Sequence, residues 1–196
     1  MPTLLPFNDY HAKDVINLYA FSGDFPVNKG TIVTVLDSGF VPSTTDILEM
    51  IGYVGGANGY PNTVSQRWGA VPKVGLCAAT NEPLGMLLYD GRETDENGEK
   101  LVLKPRKAAE MEVFVTGNVA TIVPRGIFLY SGVQGGNPLS SSSFYVSGNG
   151  LIGTGLPNGQ VNTGNNAGGL NPVNKKVGKA LGAKDINGHI LFKLEL

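Results

Sequence analysis

The stretch that most constrains this fold is residues 176–196, where two apolar runs flank a strong turn signal. The turn begins at Lys184 and ends on Asn187-Gly188, two residue types that adopt positive φ at low steric cost. After the turn, apolar residues occupy every second position, and this period of two predicts a half-buried antiparallel strand that is paired up to the end of the sequence. One face of that strand carries Ile190, Phe192, Leu194 and Leu196, and the other carries His189, Leu191, Lys193 and Glu195.

A similar pattern occurs earlier, in residues 73–88. Lys73-Val74-Gly75 resembles Lys176-Val177-Gly178, and in both places an alanine-containing run, a turn and an apolar strand follow. Either an internal repeat of one β-hairpin or two unrelated hairpins of similar size explains the similarity.

The composition suits a β-rich, turn-rich domain. A chain of 196 residues fits one domain and buries roughly 70% of its unfolded surface, so it needs no disulfide to form a core. Charged residues make up 16% of the sequence, against about 25% in an average domain. Glycine occurs 28 times and proline 12 times, which predicts many turns and wide neutral surfaces.

Charge and cysteine content exclude several classes of function. The net charge of −1 gives no bias towards nucleic acid or an anionic membrane. The single Cys77 excludes an internal disulfide and a cysteine-based zinc site, and its apolar surroundings predict a buried, inert thiol. Because we find no basic region followed by an apolar core and no membrane-length apolar run, we expect a protein made in a cytoplasm without signal peptide or membrane span.

The pattern of the remaining chain predicts an all-β fold, a small antiparallel barrel or sandwich of hairpins with long Gly/Asn-rich loops. Strands are predicted at 15–21 and 31–36, and a hairpin at 111–123 turns at Gly117-Asn118. One short helix is predicted at 43–51, where Ser43 can cap the first turn. The predicted core consists of Ile32, Val35, Val74, Leu87, Met111, Val113, Val115, Ile190, Phe192 and Leu194.

We divide the chain into an extended N-terminal arm, residues 1–13, and a single β-rich domain, residues 14–196. Within the domain, residues 131–170 form a long neutral excursion rich in glycine, serine and asparagine. Such a segment buries little and loses much entropy on ordering. It is either a flexible loop or a segment that becomes ordered against a neighbouring surface.

The motifs for chemistry are weak, and we predict no catalytic residue, metal or cofactor. Residues 148–153 match G-x-G-x-x-G, but the glycines and proline that follow prevent the helix that a dinucleotide site needs. Residues 93–104 begin like a calcium loop but end on Lys104 where a bidentate glutamate is required. Glu110 and Glu112 are predicted on one strand face, either as a solvated pair or as an acid–base pair. His189 is predicted to be a surface residue, and His11 has no partner that we can name.

Several segments, in their order and spacing, resemble the head decoration (capsid cement) proteins of tailed bacteriophages. The segments are residues 29–33, 84–91, 112–119, 177–181 and 188–194. The resemblance implies a β-rich and commonly trimeric protein on the exterior of the virion capsid, where it binds the major capsid protein and holds capsomers together. It implies no enzymatic activity.

The candidate contacts to the capsid or to other copies of the chain are apolar residues in the arm and in the neutral excursion, together with one tryptophan in the polar loop at 55–68. They are Leu4, Leu5, Phe7, Trp68, Phe144 and Tyr145. Two other functions remain open. A receptor- or carbohydrate-binding β-domain of a phage tail or fibre would expose Trp68, Tyr60 and Tyr53 in a groove. A small hydrolase would require Glu110 and Glu112 to be buried.

Overall fold

A computed structural model describes residues 3–7, 12–36, 73–115, 118–134, 140–146, 148–154 and 175–196. These residues form a mainly β fold of two curled sheets, each shaped like half a barrel, with one short α-helix. The all-β prediction is therefore confirmed. The predicted helix at 43–51 lies outside the described residues, as do His11, Tyr53, Tyr60 and Trp68.

The strands are short, and most contain between two and four residues. In the first half of the chain they are β1 (Leu4–Pro6), β2 (Ala20–Phe21), β3 (Ile32–Val35), β4 (Lys73–Leu76), β5 (Gly85–Leu87) and β6 (Asp90–Gly91). After helix α1 (Pro105–Glu110) they are β7 (Val113–Phe114), β8 (Ile122–Val123), β9 (Arg125–Tyr130), β10 (Ser143–Val146), β11 (Ile152–Gly153), β12 (Lys176–Ala180) and β13 (Ile190–Glu195).

The larger sheet has six antiparallel strands in the order β1-β9-β13-β12-β10-β11. The predicted C-terminal hairpin is confirmed, since β12 and β13 pair and Gly188 in the turn has a φ of +85°. Ile190, Phe192 and Leu194 are buried as predicted. The backbone N–H of Leu196 donates to the carbonyl of Pro124 at 3.1 Å, so the last residue is paired as predicted.

The second sheet is mixed, with the order β2-β4-β3-β5-β8. Strand β3 lies between β4 and β5, since Val33 pairs with Leu76 on one side and with Gly85 on the other. The hairpin that we predicted at 73–88 is therefore wrong, and so is its interpretation as a copy of the C-terminal hairpin. The local pattern predicts each strand correctly but carries no information about which strand pairs with it.

Two further strand predictions need correction. In the segment 15–21 only Ala20–Phe21 forms a strand, while Ile16 makes a single bridge to Ile122. The predicted hairpin at 111–123 is wrong, because β7 pairs in parallel with β6 and β8 pairs with β5.

Helix α1 ends directly before the segment that we assigned to that hairpin. Pro105 suits the first helical position, where its missing N–H costs no hydrogen bond, and the residues that follow are good helix formers. Met111 and Glu112 end the helix with N–H bonds to the carbonyls of Lys107 and Ala109.

The main core lies between the two sheets. Phe192 is at its centre, with the ring centroids of Phe128, Phe144 and Tyr130 at 6.0, 5.9 and 6.1 Å. A second cluster, around Phe21 and Phe114, covers the other face of the five-stranded sheet. That sheet is therefore buried on both faces.

Most of the predicted core residues are confirmed. Those that are fully or almost fully buried are Ile32, Val74, Leu87, Val115, Ile190, Phe192 and Leu194. Met111 and Val113 are only partly buried, against the small cluster that contains α1. The prediction for Val35 is wrong, since this residue ends β3 and is 42% exposed.

Candidate interaction surface

The structure separates the predicted contact residues into buried and exposed ones. Leu4 and Phe144 belong to the main core, so neither side chain is presented to a partner. Leu5 and Phe7 are 52% and 62% exposed, and Tyr145 is partly buried. Trp68 lies outside the described residues.

The N-terminal segment does not extend away from the body as a free arm. Leu4–Pro6 is the edge strand β1, and its residues pair with Phe128, Leu129 and Tyr130 of β9. Likewise, β10 and β11 show that part of the neutral excursion 131–170 is built into the same sheet. Both corrections have the same cause, because the apolar side chains of Leu4 and Phe144 complete the core of this chain.

A polar network fixes the start of β1. The N–H of Thr3 donates to Ser131 Oγ at 2.8 Å, and Thr3 Oγ1 lies 2.7 Å from His189 Nε2. The N–H of His189 in turn donates to Asp185 Oδ1 at 2.6 Å. His189, which we predicted to be a surface residue, is partly buried and joins β1 to the turn between β12 and β13.

The residue types of this network also occur in nucleophile–base–acid triads, but the geometry is that of a structural link. His189 Nδ1 and Asp185 Oδ2 are 3.6 Å apart, which is beyond hydrogen-bond distance. Thr3 is exposed and directly precedes the edge strand β1. Sequence reasoning missed the network because its members are far apart in the chain.

The outer face of the six-stranded sheet carries an apolar row, which we call the leucine row. It consists of Leu5, Leu129, Leu191 and Leu181. Leu5 pairs with Leu129 and Leu129 with Leu191, while the N–H of Leu181 donates to the carbonyl of Leu191. Leu5 and Leu181 are 52% and 39% exposed, and the other two are partly buried. The row therefore crosses β1, β9, β13 and the end of β12.

Phe7 and Ile127 widen the apolar surface on the β1 side. The N–H of Phe7 donates to the carbonyl of Ile127 at 2.9 Å, which places the two residues side by side on the outer face. The outer face of an antiparallel sheet is commonly polar when it is solvated, and a contiguous apolar patch marks an interaction site. This face is the strongest candidate site in the described part of the chain.

A cleft of about 240 Å³ lies at the free edge of β1. Leu4, Leu5 and Pro6 form one wall, and the segment Leu88–Asp90 with Lys29, Met111 and Glu112 forms the rest. Both carboxylate oxygens of Asp90 have partners within the fold. Oδ1 accepts a hydrogen bond from the N–H of Lys29 at 2.7 Å, and Oδ2 lies 3.5 Å from the guanidinium of Arg92.

Glu110 and Glu112 do not share a strand face, so that prediction is wrong. Glu110 ends helix α1 and pairs with Arg106 at 3.1 Å, while Glu112 is an exposed residue of the turn that follows. Neither carboxylate is buried, which the hydrolase interpretation required.

Cys77 is buried, as predicted. Its Sγ contacts the carbonyl of Ala78 at 3.4 Å, and burial, together with the negative charge of Glu82, raises the pKa of the thiol to about 11. The thiol is therefore protonated at neutral pH and a poor nucleophile or ligand.

The two weak sequence motifs form ordinary turns. Asp95 Oδ1 accepts hydrogen bonds from the N–H groups of Asn97 and Glu99, both at 2.9 Å, so the calcium-like segment is an Asx turn. The G-x-G-x-x-G segment begins with a turn over Gly148–Gly150, in which Asn149 and Gly150 have left-handed φ angles of +60° and +72°, and leads into β11. Within the described ranges, no three His, Cys, Asp or Glu side chains are arranged to hold a metal ion.

None of the helices in the described part of the chain is long and apolar enough to cross a membrane. Comparisons with protein-family models, with curated proteins and with solved structures found no match to this chain.

Proposed function

We propose that this chain is a structural virion protein that binds the outer surface of a phage capsid and stabilises it, in the manner of a head decoration protein. The observation that carries the proposal is the exposed leucine row with Phe7 beside it. Leu5 and Phe7, which the sequence predicted as contacts, belong to this surface and are more than half exposed. The partner is the major capsid protein, on the capsid exterior.

The energetics of such a role favour a homo-oligomer, and the family resemblance favours a trimer. A symmetric oligomer presents identical patches to symmetry-related capsid subunits. After the first patch binds, the later contacts are intramolecular, so avidity exceeds that of a single contact by about 10²–10⁴. The low charged content of the chain, 16%, suits interfaces whose cores are depleted in charged residues.

The test is to add the purified full chain to undecorated heads of the phage that encodes it, and to measure co-sedimentation and protection of the heads against heat. We expect saturable binding and a higher temperature of head disruption. The variant Leu5→Ser with Phe7→Ser should bind at least tenfold more weakly. Its matched control is Leu103→Ser, which removes an apolar side chain that is 78% exposed in another part of the fold. If the intact chain does not bind heads, the proposed function is wrong.

A further inference from the structure

A group of lysines lies next to the leucine row on the same outer face of the sheet. Lys179 of β12 and Lys193 of β13 are directly paired across the two strands. Lys176, at the start of β12, is also exposed. We call Lys176, Lys179 and Lys193 the lysine cluster.

Among the residues that the structure describes, the lysine cluster has fewer carboxylates beside it than positive charges. Like charges directly opposite each other on antiparallel strands are destabilising. Glu195 is the carboxylate beside the cluster, and its Oε1 lies 3.0 Å from Lys193 Nζ. The hydrogen bond from Lys193, and then the charges of Lys193, Lys179 and Lys176, lower the pKa of Glu195, so all three lysines act on this one carboxylate.

The other described charged groups near the cluster leave this excess of positive charge in place. Arg125 is paired with Glu195 across β9 and β13 and adds a further positive charge to this face, although Asp14 lies 3.1 Å from its guanidinium. Lys175 lies next to the cluster in sequence and is bound to Glu82 at 2.6 Å. The outer face thus combines an apolar stripe with an excess of positive charge.

From this combination we infer that the outer face of the six-stranded sheet docks on a protein surface that carries carboxylates beside a stripe of aliphatic side chains. The inference rests on the proposed function, in which that surface belongs to the major capsid protein. Carboxylates of the partner would offset the repulsion between the paired charges of Lys179 and Lys193. The leucine row would bury its exposed apolar area against the aliphatic stripe. A nucleic acid would satisfy the lysines but would leave the leucines against a charged backbone.

The sheet geometry defines the spacing that the partner needs. Strands are about 4.8 Å apart, so a row over four strands is about 14 Å long. Lys193 is two residues beyond Leu191 on β13, which displaces the positive charge from the leucine row by about 7 Å along the strand. The complementary surface therefore has its carboxylates about 7 Å to one side of its aliphatic stripe.

The experiment compares two charge variants in the binding assay with undecorated heads, over a series of salt concentrations. Lys179→Glu with Lys193→Glu should weaken binding at least 100-fold at low salt and reverse the salt dependence. The control, Lys100→Glu with Lys184→Glu, makes the same change in net charge at two exposed residues of other segments and should bind within about threefold of the intact chain. Circular dichroism and thermal unfolding check that both variants fold, and Lys179→Gln with Lys193→Gln provides a milder change.

The outcomes separate the two proposals. If the intact chain does not bind heads, the proposed function fails and this inference fails with it. If the intact chain binds and the Lys179/Lys193 variants bind equally well, only the docking face is wrong. Sedimentation velocity gives the oligomeric state of each variant. Loss of self-association, rather than of head binding, would show that this face joins copies of the chain and would overturn the inference.

Discussion

At the scale of single residues, Glu112 is one of the non-glycine residues in the described part of the chain that have a positive φ. It follows the C-terminus of α1 with a φ of +52°, in the left-handed region where helices commonly place glycine. For a residue with a Cβ, this conformation costs roughly 1–2 kcal/mol, and the larger unfolded-state entropy of glycine offsets part of the gain from removing it.

We therefore expect Glu112→Gly to raise the free energy of unfolding by about 0.5–1 kcal/mol, measured by denaturant titration. The control is Glu110→Gly, two residues earlier at the last position of helix α1, where glycine should lower stability by up to about 1 kcal/mol. If Glu112→Gly destabilises the protein, the side chain of Glu112 makes a stabilising contact that outweighs the backbone cost.

Two buried weak acids, the thiol of Cys77 and the phenol of Tyr130, should make the free energy of unfolding depend on pH in the alkaline range. Burial raises the pKa of the Cys77 thiol from 9.0 to about 11 and that of the Tyr130 phenol from 10.0 to about 12. Because both groups ionise more readily in the unfolded chain, the stability they contribute is fully present below pH 9. It is lost between about pH 9 and 11 for Cys77 and between about pH 10 and 12 for Tyr130.

Each group should account for a loss on the order of 2–3 kcal/mol in the free energy of unfolding across its window. Equilibrium unfolding at pH 8, 10 and 11.5 measures it. In Cys77→Ala with Tyr130→Phe the decrease should be much shallower, whatever the stability of that variant at pH 8. An equally steep decrease in the double variant would show that other groups cause it.

At the scale of elements, β13 is the strand on which the larger sheet depends. It lies between β9 and β12, and Phe192 contacts three aromatic rings from β9 and β10. Phe192→Ala should therefore lower the free energy of unfolding by roughly 3–5 kcal/mol. The neighbouring Leu191 points to the outer face, so Leu191→Ala should cost clearly less. A loss below about 1 kcal/mol for Phe192→Ala would contradict the central position of its ring.

Strand β1 shows how a short edge strand is kept from pairing with other chains. It has three residues, and Pro6 has no N–H to offer at the free edge. The network from Thr3 to Asp185 holds the strand in register. The apolar outer side of β1, rather than its backbone edge, is therefore the part available to a partner.

At the scale of the whole molecule, the two sheets differ in how their faces are covered. Both faces of the five-stranded sheet pack on buried clusters, whereas the six-stranded sheet packs the main core on its inner face. Its outer face carries the leucine row and the lysine cluster side by side. The binding experiments proposed above address this face because the apolar surface and the charge excess coincide there.

Local sequence patterns are enough to predict the β class, the C-terminal hairpin and the buried residues of β13. These features depend on local signals, since the alternation around Phe192 and the turn at Gly188 lie within a few residues of one another. The same local signals led us to place Val35 in the core and to join residues 111–123 into one hairpin. Periodicity identifies the two faces of a strand. It does not identify the strand that pairs with it, nor how much of each face other residues bury.

The choice of strand partners, and of the apolar residues that stay on the surface, depends on the folded chain as a whole. The tertiary structure inserted β3 between β4 and β5, used Leu4 and Phe144 to fill the core, and left Leu5 and Phe7 exposed. The leucine row joins residues 5, 129, 181 and 191, and the pairing of Lys179 with Lys193 requires the register of β12 on β13. Register and partner choice depend on burial shared between distant segments, and that burial exists only once the sheets have closed on their common core.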